Sequence, residues 1–344
     1  MASTEPLQRL ERLTLRLLHK RLEQAQSEHS QLKEAVRSEV NEMLEKQRAD
    51  KLRRKLQQLT RATADLDGRL CYGAPPGWGN GGSASCSADG DWSSAWLSGT
   101  EVSYTVQRSS GDGRLEMTHS KCTIELQIYT KPFAHGGMRQ AFYARDKSGV
   151  GRYVLKRALL ESSKLEKRVR EMHRDAEATA LSQQAALAYT QAVGEDAPIS
   201  YLPASVVILR SSAEPGGTAV YIKEPWLDPA GGRWLKWTRN DGHIFPEGKL
   251  DATIQSFTHF SLHFLRQGLG CDAIVLDAQA SCERDGVEAL SPSKRQYTLT
   301  DPALCTADKR FGRADLGSEA IKTYMAAHTC GPLCSKAGCQ GTRV

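Results

Sequence analysis

Nowhere in this chain do about eighteen uncharged apolar residues run together, so no membrane-spanning helix is expected. The opening MASTEPLQRLERL lacks the apolar stretch of a secretory signal, which sets the expectation of a cytoplasmic protein. A strong excess of one charge is also missing. Lys and Arg number 46 against 40 Asp and Glu, a net +6 spread along 344 residues, which gives little reason to expect a nucleic-acid partner. The nine cysteines, at 71, 86, 122, 271, 282, 305, 330, 334 and 339, are odd in number and irregularly spaced. They do not form the framework of a small secreted domain; reduced thiols and a metal site suit them better. Finally, glycine and proline are absent between Leu7 and Leu66.

That breaker-free stretch alternates leucine with Arg, Lys, Glu and Gln and predicts a long charged helix. Leu10, Leu13 and Leu17, then Leu32, Val36, Val40 and Met43, give it a coiled-coil seam that Gln24, Gln47 and Arg54 interrupt. Residues 1–68 are therefore read as a helical or coiled-coil segment through which the chain could form a homo-oligomer; a solvated helix packed on its own domain is the other reading. Glycine, serine and proline dominate from Cys71 to Asp91, so residues 69–98 are assigned to a flexible linker. Residues 99–344 form the remaining domain. VSYTVQR, CTIELQIYT, QAFYAR and RYVLKRALL are strand-like, a helix is expected from Glu161 to Val193, and ASVVILR and TAVYIKEPW are strands again. This succession resembles the upper lobe of a kinase.

Several segments carry chemistry. His328, Cys330 and Cys334 fall within seven residues in HTCGPLC, and imidazole plus thiolate is the donor set that zinc prefers. Three donors leave a tetrahedral site one short, so a distant residue must supply the fourth. Gly136 and Gly137 sit between two strand-like runs in PFAHGGMRQAFYA, where they make either a plain hairpin or a turn that approaches phosphate, with Arg139 adding charge. Lys156 ends the apolar run VLK, and either reaches solvent or contacts phosphate. Asp277 and Gln279 in IVLDAQA, at the end of a strand-like run, are placed by alternation on one side; Asp301 in LTDPA adds a carboxylate. Taken singly, each aspartate is better explained by a turn.

In chain order, PFAHGGMRQAF, VLK, EPWL, KWTRNDG, FTHFS, IVLDAQA, LTDPA, FGRADLG and HTCGPLC resemble the alpha-kinase family of atypical Ser/Thr protein kinases, over roughly residues 100 to 340. The resemblance implies a two-lobed α+β, protein-kinase-like fold with structural zinc in the lower lobe. It implies transfer of the ATP γ-phosphate to Ser or Thr of a protein substrate. Lys156 would hold the α- and β-phosphates, the Gly136-Gly137 turn with Arg139 would cover them, and Glu224 and Leu227 would form the hinge against adenine. Gln279 and Asp301 would hold Mg²⁺, leaving Asp277 to orient or deprotonate the attacking hydroxyl. FGRADLG would lie beside the peptide substrate. His259 would be the fourth zinc ligand, with His263 and Cys339 as the nearest competitors. Three departures stand out: Ala280 where the family usually has glycine, Thr238 where it has asparagine, and an insertion over residues 280–299. They leave open a catalytically weak or inactive kinase-like scaffold acting through its coiled coil.

Overall fold

Long alternating runs of β-branched and polar residues give the first two strands, β1 (Leu97–Arg108) and β2 (Leu115–Ile128), which pair antiparallel along their whole length. The computed structural model describes residues 92–136, 138–159, 164–194, 198–211, 216–227, 233–282, 297–339 and 341, with Arg21 and Gln24 before them. The expected coiled coil, Gly137 and the insertion between 282 and 297 therefore lie outside the described residues, as does most of the linker. Trp92 already bridges Tyr129, and the Arg145 guanidinium stands 4.4 Å from the Trp92 ring. Of the residues placed in the linker by composition, Leu97 and Ser98 lie in β1 and Trp92 makes an isolated bridge ahead of it.

β3 (Ala134–His135), β4 (Arg139–Asp146), β5 (Arg152–Ala158), β7 (Ser205–Arg210) and β8 (Thr218–Pro225) complete a seven-stranded sheet, while the short β6 (Ile199–Tyr201) lies apart from it. The strand order is β2-β1-β7-β8-β5-β4-β3, all antiparallel, and β2 pairs with β4 as well. The sheet therefore curls back on itself. Both faces of β7 and β8 are buried. Val207, Leu209, Ala219 and Tyr221 fill the inside of the curl, while Val206, Val220 and Ile222 alternate outward onto Met172 and Ala176 of helix α1 (Leu165–Val193). At Gly99 a β-carbon would fall 2.0 Å from the Ile208 carbonyl oxygen, so the close approach of β1 to β7 requires glycine.

The lower half is built on α3 (Ala252–Leu269), which follows β9 (Arg233–Lys236) and the single turn α2 (Pro246–Leu250). The Asp251 carboxylate caps it by accepting from Ile254 N at 3.1 Å, and Gly270 ends it in the left-handed conformation. Ile254, Phe257, Leu262, Phe264 and Leu265 are all buried, so this helix is apolar nearly all round and forms the centre of its half. Around it lie β10 (Ala273–Leu276) paired with β13 (Ala303–Thr306), β11 (Gln279–Cys282) paired with β9, and β12 (Tyr297–Leu299) parallel to β6. Helices α4 (Ser318–Ala327) and α5 (Pro332–Lys336) close the chain onto α3. Among the described residues no helix is long and apolar enough to cross a membrane.

Candidate active site and metal centre

Register decides the first contact of the site. Val154 of β5 stands opposite Glu224 of β8 and Lys156 opposite Ile222, so Lys156 and Glu224 are diagonal neighbours on one face. The Lys156 ammonium lies 2.8 Å from Glu224 Oε2, 3.2 Å from Thr300 Oγ1 and 3.5 Å from Asp301 Oδ1, and the Thr300 hydroxyl donates to Glu224 Oε2 at 2.5 Å. Burial by itself would lower the lysine's pKa; the carboxylates of Asp301 and Glu224 outweigh it and hold the pKa above its usual value. Lys156 is thus a fixed cation at neutral pH. Arg139, the first residue of β4, pairs with Asp175 of α1 at 2.7 Å and also with Asp301. Burial raises the Asp175 carboxyl to about 6 against the pull of Arg139. At Asp301 burial acts in the same upward sense, but Lys156 and Arg139 prevail and hold the carboxyl well below the carboxylate range.

The Glu224 carboxylate, 3% exposed, is engaged by Lys156 and Thr300. Just beyond it Trp226 N donates to Arg152 O at 2.9 Å, and half-buried Leu227 follows. The Arg139 side chain turns inward to two carboxylates. Gly136 N donates to Arg139 O at 2.8 Å, and a β-carbon at Gly136 would lie 3.7 Å from that oxygen, an ordinary contact. Packing does not require glycine at 136.

Asp277 and Asp301 both adopt positive φ, 60° and 53°. Side chains are sparse in this region, and residues held there gather at functional sites. β10 ends at Leu276 and β11 starts at Gln279, so Asp277 belongs to a turn; strand alternation does not place it beside Gln279. The turn is pinned by Ala278 N donating to Thr238 Oγ1 at 2.9 Å and by Trp237 N donating to Ala278 O at 2.9 Å. Asp277 Oδ1 lies 2.6 Å from the Lys236 ammonium. Burial raises its carboxyl, with Lys236 acting in the opposite sense. Gln279 Oε1 accepts from Trp234 Nε1 at 3.3 Å, and its Nε2 donates to Asp301 O at 3.4 Å.

A second cluster forms where α3 meets the end of α4 and the start of α5. Donor atoms of His259, His328, Cys330 and Cys334 all lie within 4.8 Å of one another. Cys330 Sγ is 3.6 Å from His259 Nδ1, and Cys334 Sγ is 3.5 Å from His328 Nε2. His263 points elsewhere, its Nε2 meeting Gln267 Nε2 at 3.2 Å, and Cys339 Sγ donates to the Cys334 carbonyl at 3.4 Å. Two imidazoles and two sulfurs fit a four-coordinate soft-metal site, and the completely buried His259 Nε2 finds no hydrogen-bond partner among the described residues.

The profile of the alpha-kinase family matches residues 134–334, from the strand before the glycine turn to the last cysteine of the metal cluster. The chain belongs to the alpha-kinase family. Alpha-protein kinase 1 of Dictyostelium discoideum is 29% identical over 247 residues, covering 71% of this chain but 16% of that protein. Human transient receptor potential cation channel subfamily M member 7 is 30% identical over 112 residues, 30% of this chain and 5% of the channel. The chain thus spans about a sixth or less of these relatives' lengths. In fold it matches the alpha-kinase domain of myosin heavy chain kinase A complexed with AMP, with TM-score 0.51 and 18% identity, covering 71% of this chain and 99% of that domain.

Within this alpha-kinase fold, four residues of the site carry no signal in the sequence alone. Asp175, Lys236 and Thr300 are single polar residues in a helix, a strand and a loop, and only packing brings them to Arg139, Asp277 and Lys156. Asp315 in FGRADLG is the fourth. Its carboxylate, 3% exposed, accepts from Thr306 N (2.9 Å), Thr306 Oγ1 (2.6 Å), Phe311 N (3.2 Å) and Gly317 N (3.0 Å). Asp315→Ala would strand these donors, at about 1–3 kcal/mol for each left buried without an acceptor. A loss of at least ~3 kcal/mol in urea unfolding is expected; a loss below ~1 kcal/mol would contradict this account of the loop. Ala280 needs no special conformation. It pairs with Leu235 in a regular strand, and its methyl is buried in the core.

Proposed function

We propose that this domain is an ATP- and Mg²⁺-dependent protein kinase that phosphorylates serine or threonine of a protein substrate. The observation that carries the reading is the convergence of Lys156, Arg139 and Glu224, from three strands of the upper sheet, on Asp301 of the loop after β12, beside Asp277 and Gln279. Phosphoryl transfer asks little covalent chemistry of a protein; it asks for fixed charge and alignment, which this arrangement supplies. Lys156 would neutralise the α- and β-phosphates as a point charge, the turn at Gly136-Gly137 would close over them, and the backbone from Glu224 to Leu227 would read the adenine edge. The AMP held by the myosin heavy chain kinase A domain supports a nucleotide at this site.

Gln279 and Asp301 offer the hard oxygens that Mg²⁺ requires, and would hold it; bound there, it would supply neutralising charge to the phosphates. Asp277 would accept the proton of the attacking hydroxyl, its burial keeping the carboxyl more basic than in water. Lys236 holds one carboxylate oxygen, Oδ1, which leaves Oδ2 to meet the hydroxyl. His259, His328, Cys330 and Cys334 would bind zinc as a structural ion, with two thiolates balancing its charge. Residues 1–68 would act outside the catalytic domain, through coiled-coil self-association, in a cytoplasmic protein with no nucleic-acid or membrane partner. The rival, an inactive scaffold, loses one of its supports because the Ala280 methyl is accommodated in a regular strand.

Asp277→Ala separates proton transfer from nucleotide binding. The variant should lower kcat by about 10²–10⁴-fold while leaving KM for ATP nearly unchanged. Phosphoamino-acid analysis of the labelled substrate should return phosphoserine or phosphothreonine. An unchanged kcat would remove Asp277 from the chemistry; phosphotyrosine would remove the Ser/Thr assignment.

A further inference from the structure

We propose that Gln255 is a positioning residue of the metal centre: it fixes the tautomer of His328 and ties this ligand to the chain segment that supports Asp277. The proposal rests on the reading of the His259, His328, Cys330 and Cys334 cluster as a zinc site. Gln255 lies one turn before His259 on α3, so the two side chains leave the helix on the same face.

The orientation of its amide follows from what its neighbours can do. The Gly248 carbonyl lies 3.1 Å from Gln255 Nε2 and can only accept, so the nitrogen must face it. This leaves Oε1 turned toward His328 Nδ1 at 2.9 Å. An amide oxygen can only accept, so Nδ1 must carry the imidazole proton. Nε2 is then the bare nitrogen, and it is the one that stands 3.5 Å from Cys334 Sγ within the cluster. Tyr324 braces the same corner. Its ring stacks on His328, with centroids 5.6 Å apart, and its hydroxyl donates to Gln255 O at 2.8 Å. The other imidazole has no such brace: His259 presents Nδ1 toward Cys330, and its buried Nε2 finds no partner among the described residues.

The link continues beyond Gly248. A β-carbon at 248 would lie 2.3 Å from Trp237 O, so this backbone packs directly on Trp237, whose carbonyl also accepts from Phe245 N at 2.9 Å. Trp237 N in turn donates to Ala278 O, one residue beyond Asp277. Gln255 is thus the only side chain among these groups that contacts both the metal cluster and the chain leading to the candidate base.

Partners that orient metal-bound histidines are worth about 10–100-fold in metal affinity. In the full chain, Gln255→Leu, which removes the acceptor, should weaken zinc by about that factor in competition with a chromophoric chelator. Gln255→Glu keeps an acceptor for Nδ1–H and should stay within a few-fold of wild type. Nitrogen-15 NMR of the zinc-loaded wild type should show His328 protonated at Nδ1 and metal-bound through Nε2, a readout that does not depend on any variant folding. His328 ligating through Nδ1, or zinc held by Gln255→Leu as tightly as by wild type, would overturn the proposal while leaving the zinc site intact. A wild-type chain that holds no zinc would sink the metal reading itself, and this inference with it.

Discussion

Lys156→Met should reduce kcat/KM by at least about 10²–10³-fold, the scale on which a single preorganised charge or donor contributes to a transition state. It should also cost stability, and the two losses are separable. Without the ammonium, the buried Glu224 carboxylate keeps, among the described residues, the Thr300 hydroxyl as its donor. Removing one member of such a buried pair costs about 3–5 kcal/mol, because the partner's charge is left uncompensated. Adding Glu224→Gln removes that charge and should restore most of the unfolding free energy. It cannot restore a cation beside the phosphates. The expected pattern is therefore a double variant close to wild type in urea unfolding and as inactive as Lys156→Met. A double variant that regains activity along with stability would show that Lys156 acts only as a structural ion pair.

Stripping the metal should have the largest effect on the fold. The four donors join α3 to the segment that leaves α4 and enters α5, and His259 is fully buried at the junction. Structural zinc contributes about 10–16 kcal/mol in small zinc-dependent folds. A domain's entire stability is about 5–15 kcal/mol. Chelation should therefore abolish the cooperative melting transition, and phosphoryl transfer with it, and stoichiometric zinc should restore both. Cys334→Ser should fail in the same way, because Cys334 is buried and an alcohol is a poor soft-metal ligand. A chain shown to be metal-free that melts at the wild-type temperature would remove zinc from the structural account.

The His and Cys cluster was legible because three possible metal donors sit within seven residues. Its fourth member was not legible from spacing. His259 and His263 are one helical turn apart, and only the direction in which α3 presents them separates the two. The strands were legible where β-branched apolar residues cluster, as in β7 and β8, and less so where composition is rich in glycine and serine, as where Trp92 bridges Tyr129 ahead of β1. Around Lys156 the contacts of two side chains were not legible. Whether Glu224 faces a ligand or Lys156 depends on the register of β5 against β8, and whether Arg139 covers phosphate or pairs with Asp175 depends on where α1 lies. Both are matters of tertiary placement, which no local pattern encodes.

Transfer of label from ATP shows whether these groups assemble to move a phosphoryl group. The purified chain should be incubated with γ-labelled ATP, Mg²⁺ and a basic protein substrate, alongside Lys156→Met and Asp277→Ala at matched zinc content. Wild type is expected to label the substrate at least about 10²-fold faster than either variant. Wild-type transfer no greater than that of the variants would contradict the account and leave a kinase fold used for binding alone.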